Sequence, residues 1–381
     1  MLIALIAATL LAFLAGQALP KATTAIAVAP AFWAHLVLAV GVMTLITAAM
    51  QHFVPVLTRS RGAGRWTARL SFLMLAAGGL ALAVFSSWLD FVWISLAAAL
   101  ALAGVGGMLG WMRNKARHTL GKPHPGLAWY VAAMACLGLG LIAAAVIPFL
   151  PAWHAELRAF HIHINLYGFV GLTAIGTLQV LMPTAANQAD PQVSTRLRED
   201  LKWALAGSLL LALGQALGQT QWLPLAWLGG ALWFWVIGRM GLVWWRLHRT
   251  KILAWHGAEP LLAAALIGFG TALAGVLLGL ENLLPLTIFL PGFLMPLVVG
   301  AAGQLGPVWI EAGRNAARHA EDRAKITRWN SIRAVLFLTA AGLPLFGYQC
   351  SGMPALTALV WFVIVFAIWL YQDKNTQPHA V

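Results

Sequence analysis

The sequence predicts an all-α membrane protein of about twelve transmembrane helices, arranged as three pseudo-symmetric arcs of four. Three observations predict it. Apolar residues make up 61% of the chain and charged residues only 9%, with a mean hydropathy of +0.81. The apolar residues come in continuous runs of roughly 18–25, the length that crosses ~30 Å of hydrocarbon. A phased pattern of Gln and Pro recurs at thirds of the chain.

A soluble chain of 381 residues has too little polar surface to cover so much apolar material. In lipid every backbone N–H and C=O must be paired within the spanning structure, which leaves helices or a closed barrel. The runs here are continuous rather than alternating, so helices are expected. They fall near residues 2–19, 28–56, 69–87, 91–112, 127–149, 159–184, 201–218, 222–246, 259–280, 284–310, 332–349 and 354–372. The first run has no basic residues before it and continues into Pro20 and Lys21. It therefore reads as a first transmembrane segment rather than a secretion signal.

The formal charge of +13 is explained by its placement. Arg59, Arg61, Arg65 and Arg69 follow segment 2, and Arg113, Lys115, Arg117 and Lys122 follow segment 4. Arg196, Arg198 and Lys202 follow segment 6, and Arg246, Arg249 and Lys251 follow segment 8. A further set from Arg314 to Arg333 follows segment 10, while the alternate loops hold little beyond Lys21 and Arg158. This is the positive-inside pattern. It places both termini in the cytoplasm and points to a multi-pass protein of a bacterial-type inner, or plasma, membrane. The lipid bilayer is the partner of the basic loops, and nucleic-acid binding is excluded. The two cysteines, Cys136 and Cys350, form no disulfide framework, and the nineteen Trp suit the membrane interface.

The repeat lies in segments 2, 6 and 10. Segment 2 runs from His35 to Gln51 and Pro55, segment 6 from His163 to Gln179 and Pro183, and segment 10 from Ile288 to Gln304 and Pro307. Both His-to-Gln spacings are 16 residues (51 − 35 and 179 − 163), and the Gln residues lie 128 and 125 apart (179 − 51 and 304 − 179). Within one transmembrane domain over 1–381, this gives tandem units of approximately 1–126, 127–255 and 256–381. Each second helix is Gly-rich, allowing close helix approach, and ends near a Pro. The Gly104–Gly110 stretch lies inside an apolar run without a following Lys-Ser/Thr, so it reads as packing rather than a phosphate loop.

Intramembrane histidines are costly and point to function. Of eleven His, His118, His124, His154, His248, His256, His319 and His379 lie in loops or at helix ends and read as exposed polar residues. His52 reads as an interfacial cap. His35, His161 and His163 remain. His35 and His163 sit at matched height in the outer third of the membrane, on equivalent helices. Facing imidazoles of this kind can hold a haem, one on each side of the iron. His161 and His163 point about 200° apart on a helix, so they serve different sites. The competing reading is a hydrogen bond from each His to a Ser, a Thr or a carbonyl.

The segment from His161-Ile-His163 to Pro183 resembles helix X of the haem-copper oxidase subunit I superfamily: His-x-His, a Gly-rich stretch, then Pro. The segment around His35, ending in Phe53-Val54-Pro55, is similar to that family's helix II. The resemblance implies that His35 and His163 ligate a low-spin haem b near the outer face. It also implies that His161 serves a second haem or copper. Twelve helices in three arcs is also that family's architecture. In this chain the His-x-His segment is the sixth rather than the tenth, and the further His of a copper site are missing. A divergent, NnrS-like relative is therefore implied. Its expected role is electron transfer or diatomic-gas (NO/O2) chemistry as an oxidoreductase, with a redox partner. The alternatives are a copper-handling membrane protein and a metal-free transporter. The transporter would use Arg239, Glu259, Asp90 or Glu281 with Asn282, although buried carboxylates of the kind that carry protons are scarce.

Overall fold

A computed structural model describes residues 2–22, 30–119, 121–218, 222–280, 287–310, 315–348 and 352–376, with backbone alone for 2–4, 16–22 and 373–376. Cys350, Glu281, Asn282, Arg314 and His379 lie outside the described residues, as does the side chain of Lys21. The described residues contain helices and no strand.

Nine described helices are long and apolar enough to cross a membrane. In chain order, α1 spans Leu2–Ala22, with an apolar stretch described from Leu5 to Ala15. It is followed by α2 (Pro30–Leu57), α3 (Arg65–Phe85), α4 (Phe91–Arg117), α5 (Gly126–Phe149) and α6 (Pro151–Ala185). Then comes α7 (Val193–Leu217), whose first turns carry Arg196, Arg198, Glu199, Asp200 and Lys202, which keeps it out of the apolar set. The chain continues through α8 (Leu223–Ile252), α9 (Glu259–Leu277) and α10 (Leu290–Ile310). An eleven-residue helix, α11 (Ala316–Ile326), lies within the charged stretch after α10, where the sequence reading placed only a loop. Its polar composition hides it from a search for apolar runs. Asn315 caps it by accepting from the backbone N–H of Arg318 at 2.8 Å. It meets α12 (Asn330–Phe346) at a 46° bend, and that pair counts as a tenth candidate span if taken together. Last is α13, Gly352–Thr376, which packs against α1 and so brings the two ends of the described chain together.

Three helices depart from α geometry. π-Helical turns occupy Leu36–Met43 in α2, Ile164–Gly171 in α6 and Leu290–Leu294 in α10. The first two coincide when shifted by 128 residues, and each begins directly after a His. A π turn releases backbone groups from the ordinary ladder, and in lipid these need other partners. Two carbonyls in these turns accept from hydroxyls on neighbouring helices, Thr9 Oγ1 on Gly41 O at 3.2 Å and Ser208 Oγ on Tyr167 O at 3.0 Å.

The C-terminal parts of α2, α6 and α10 hold buried polar anchors. Gln51, Gln179 and Gln304 are all buried. Gln51 Nε2 donates to Thr67 O at 2.8 Å, Arg196 Nε donates to Gln179 Oε1 at 3.1 Å, and Arg323 Nε donates to Gln304 O at 2.9 Å. In each case the Gln residue near the end of a π-containing helix meets the helical stretch that follows it. Arg196 also pairs with Asp190 at 2.6 Å, both side chains being almost fully buried. Arg239, expected at the interface, pairs with Asp200 at 2.6 Å and Glu199 at 2.8 Å across α7 and α8. His248 and His319, expected to be exposed, are buried. Both lie on helical faces that turn inward, which helix-end position alone does not reveal.

Small residues set the closest approaches. A Cβ at Gly268 in α9 would collide with the backbone carbonyl of Gly292 in the third π turn, whereas Gly104 and Gly107 receive Met74 and Leu70 of α3. Gly79 faces open space. Gly268→Ala is expected to lower stability by roughly 1–3 kcal/mol, because backbone cannot yield as a side chain can. Gly79→Ala should be neutral or stabilising by up to about 1 kcal/mol. Thermal unfolding in detergent compares the two. Asp190→Asn, which leaves the Arg196 charge buried without its partner, is expected to cost about 3–5 kcal/mol in the same assay.

Candidate functional site

The three intramembrane histidines share a backbone device. His35 Nδ1 donates to Ala31 O at 2.7 Å, and His163 Nδ1 donates to Ala159 O at 2.8 Å. Each reaches back four residues along its own helix, the separation that brings side chain and carbonyl together on one face. His161 Nδ1 reaches instead across to α5 and donates to Gly140 O at 2.8 Å. A carbonyl can only accept, so each ring carries its proton on Nδ1 and presents a bare Nε2. This is the orientation and tautomer that metal-bound imidazoles adopt.

The sequence reading paired His35 with His163. The structure brings His35 to His161 instead, with ring centres 6.4 Å apart and planes within 10° of parallel. His163, two residues further along α6, faces away from that pair. It is buried, its Nε2 has no hydrogen-bond partner, and its ring lies parallel to that of Tyr167 at 6.5 Å. The Tyr167 hydroxyl is likewise buried and unpartnered. Helix geometry thus separates two sites on the two sides of α6. Equivalence in the repeat gave depth along the helix but not which neighbouring ring each imidazole would meet.

Several residues around the pair carry no signal of their own in the sequence. Phe85, at the end of α3, packs on His35 with ring centres 4.3 Å apart, and Phe91 follows it toward His154. Asn165 Nδ2 donates to His161 O at 2.8 Å, and its Oδ1 is buried without a partner. Gly140 supplies the carbonyl for His161 and leaves room for Asn165, whose Nδ2 would stand 2.5 Å from a Cβ at that position.

Among the described residues no three His, Cys, Asp or Glu side chains converge as a metal cage. A tetrahedral, all-protein site of the structural zinc kind needs four such ligands, so the donor set does not fit one. Two imidazoles do fit a group that takes two protein nitrogens. No protein-family model, no curated protein and no solved structure matches the chain. The likeness to the haem-copper oxidase superfamily therefore rests on the His-bearing segments alone.

Gly140→Ala should displace Asn165 and lower the unfolding temperature. In an Asn165→Ala background the same substitution should cost much less, because the group it strikes is gone. Equal losses in both backgrounds would show that the two positions are uncoupled.

Proposed function

We propose that this is an integral membrane protein that binds a redox-active metal, haem iron as the first reading, through His35 and His161. The carrying observation is the spacing of the pair. A metal–nitrogen bond is about 2 Å and the ring centre lies about 1 Å behind the nitrogen. Two imidazoles that share one ion stand roughly 6 Å apart, of the same order as the 6.4 Å found; the rings are stacked here, so holding an ion would also turn their Nε2 atoms toward each other. Both rings also have their Nδ1 protons committed to carbonyls, which leaves the ligating nitrogens free without deprotonation.

A haem held by His35 and His161 would supply one-electron transfer. Gas chemistry on NO or O2 then belongs to a second group at His163. His163 would hold that group, and Tyr167, whose ring lies parallel to that of His163 at 6.5 Å, would flank it. In this reading His35 and His161 replace the pairing of His35 with His163 that the family resemblance implies. The protein is a divergent relative of haem-copper oxidase subunit I. Its twelve spans form three four-helix arcs over units of approximately 1–126, 127–255 and 256–381, with α1, α7 and the α11–α12 region completing the count. The basic loops orient both termini to the cytoplasm of a bacterial-type inner membrane. A redox partner then exchanges electrons near the outer face.

Copper is the second reading. Two imidazoles suit copper, and a bare ion needs no slot for a macrocycle beside Phe85.

A visible spectrum of protein purified from a haem-replete host, oxidised and dithionite-reduced, tests the proposal. A Soret band is expected. It should be lost or converted to a high-spin form in His35→Ala and in His161→Ala, and should persist in His163→Ala as the low-spin component. A colourless protein containing copper supports the second reading. A colourless protein free of metal overturns both.

A further inference from the structure

Arg333 stands in the first turn of α12 and is wholly buried. Its Nη1 donates to Asn330 Oδ1 at 2.6 Å and to Ile326 O at 3.3 Å. The guanidinium lies over the Trp361 ring of α13, 4.6 Å from its centre, with Phe362 beyond at 5.8 Å. Its Nε and Nη2 have no hydrogen-bond partner. Among the described residues no carboxylate pairs with it, whereas Arg196 pairs with Asp190, and Arg239 with Glu199 and Asp200.

Nε and Nη2 share one edge of the planar guanidinium. That edge offers two parallel N–H bonds and matches two oxygens of a carboxylate or a phosphate. Arg196 uses the same edge in this way, with Nε on Gln179 Oε1 and Nη2 on Asp190 Oδ2. In Arg333 both of these nitrogens are unpartnered. A buried cation without a counter-charge is costly, and an aromatic face offsets only part of that cost. Trp361 takes one face of the group, so the edge is what remains for an anion.

The surroundings favour phosphate as that anion. Arg323, Lys325 and Arg328 precede Arg333 in the chain, and spanning helices with basic flanks end at the level of the headgroup phosphates. A second buried N–H without a partner, Trp369 Nε1, lies about two turns further along α13 from Trp361. The edge of Arg333 is buried, so a ligand reaches it only if the wall moves. The guanidinium is tied to both sides of the 46° bend between α11 and α12, through Ile326 at the end of one helix and Asn330 at the start of the other. Within the bend Trp329 has a φ of 63°, a left-handed conformation that strains a bulky side chain.

We infer that Arg333 anchors a phosphate-binding site between α11, α12 and α13, its Nε and Nη2 each donating to one phosphate oxygen once α11 tilts at the bend. The phosphate comes from an anionic lipid headgroup or from solution. The site stands whether or not His35 and His161 bind a metal.

Thermal unfolding of the full-length protein in a maltoside detergent tests it, with phosphatidylglycerol, inorganic phosphate, acetate and diacylglycerol added in turn. Phosphatidylglycerol or inorganic phosphate is expected to raise the unfolding temperature to a plateau, and whichever acts identifies the source. Diacylglycerol, which has the chains without the phosphate, should have no such effect. Arg333→Lys keeps the charge but loses the paired edge, and should weaken the apparent affinity about tenfold. Arg328→Gln, which removes a neighbouring surface charge, should leave it unchanged. The proposal is overturned if neither phosphate stabilises the protein, or if acetate or diacylglycerol does so equally. It is equally overturned if Arg333→Lys binds like the wild type or Arg328→Gln loses as much. Should Arg333→Lys fail to fold, amide hydrogen exchange on the wild type decides. The phosphate that acts should speed exchange in Ala316–Ile326, because α11 leaves its packing, and exchange that is unchanged or slower overturns the site.

Discussion

Every backbone N–H and C=O in this chain has to be paired without help from water, and the rest of the structure follows from that demand. Ordinary α-helices meet it internally. The three π turns do not, so the carbonyls they release have to be covered from outside. Ser208 covers Tyr167 O, Thr9 adds a second donor to Gly41 O beside the Thr44 N–H, and Gly268 allows the third turn to pack against bare backbone. Among the described residues the π turns are found in α2, α6 and α10. Those of α2 and α6 begin directly after His35 and His163.

The same economy governs the polar side chains. The histidines spend one ring nitrogen on a carbonyl and keep the other bare. Gln51 and Gln179 each use one side-chain polar atom on the next helical stretch and leave the other buried without a partner. The buried arginine Arg196 is held by Asp190 and Gln179 together. Several buried polar atoms are left over, among them Gln51 Oε1, Asn165 Oδ1, Gln179 Nε2 and Trp244 Nε1, and two of them, His163 Nε2 and the Tyr167 hydroxyl, lie four residues apart on α6. An unpaired buried polar atom costs about 1–3 kcal/mol, which makes that pair a natural place for a group the protein chain does not itself supply.

Much of the fold was legible because hydropathy reports directly on what lipid requires. The apolar runs predicted long helices close to their observed bounds, and the Gln and Pro spacing marked α2, α6 and α10 as special. The eleven residues of α11 were not legible, since a polar helix at the surface has no apolar run to reveal it. At the site, His35, His161 and His163 could be singled out by chemistry, and the opposed directions of His161 and His163 followed from helix geometry. The meeting of His35 with His161 did not follow. It depends on tertiary packing, in which Gly140 O of α5 accepts from His161 and Phe85 of α3 packs on His35. The buried placement of His248 and His319 was hidden for the same reason: sequence gives height along a helix more readily than the direction a residue faces.

A π turn is what remains when a single residue is inserted into an α-helix and the surrounding fold absorbs it as a local widening. Such events are costly and rarely recur independently at one place. The turns at Leu36–Met43 and Ile164–Gly171 have the same length and the same register relative to the histidine before them. Under the three-unit reading, the insertion is older than the duplication that produced these two units. The turn at Leu290–Leu294 is shorter and follows Ile288 where the others follow His. The wide turn and the histidine are therefore separable features: a helix can keep the first, as at Leu290–Leu294, with Ile288 where the other two helices carry His.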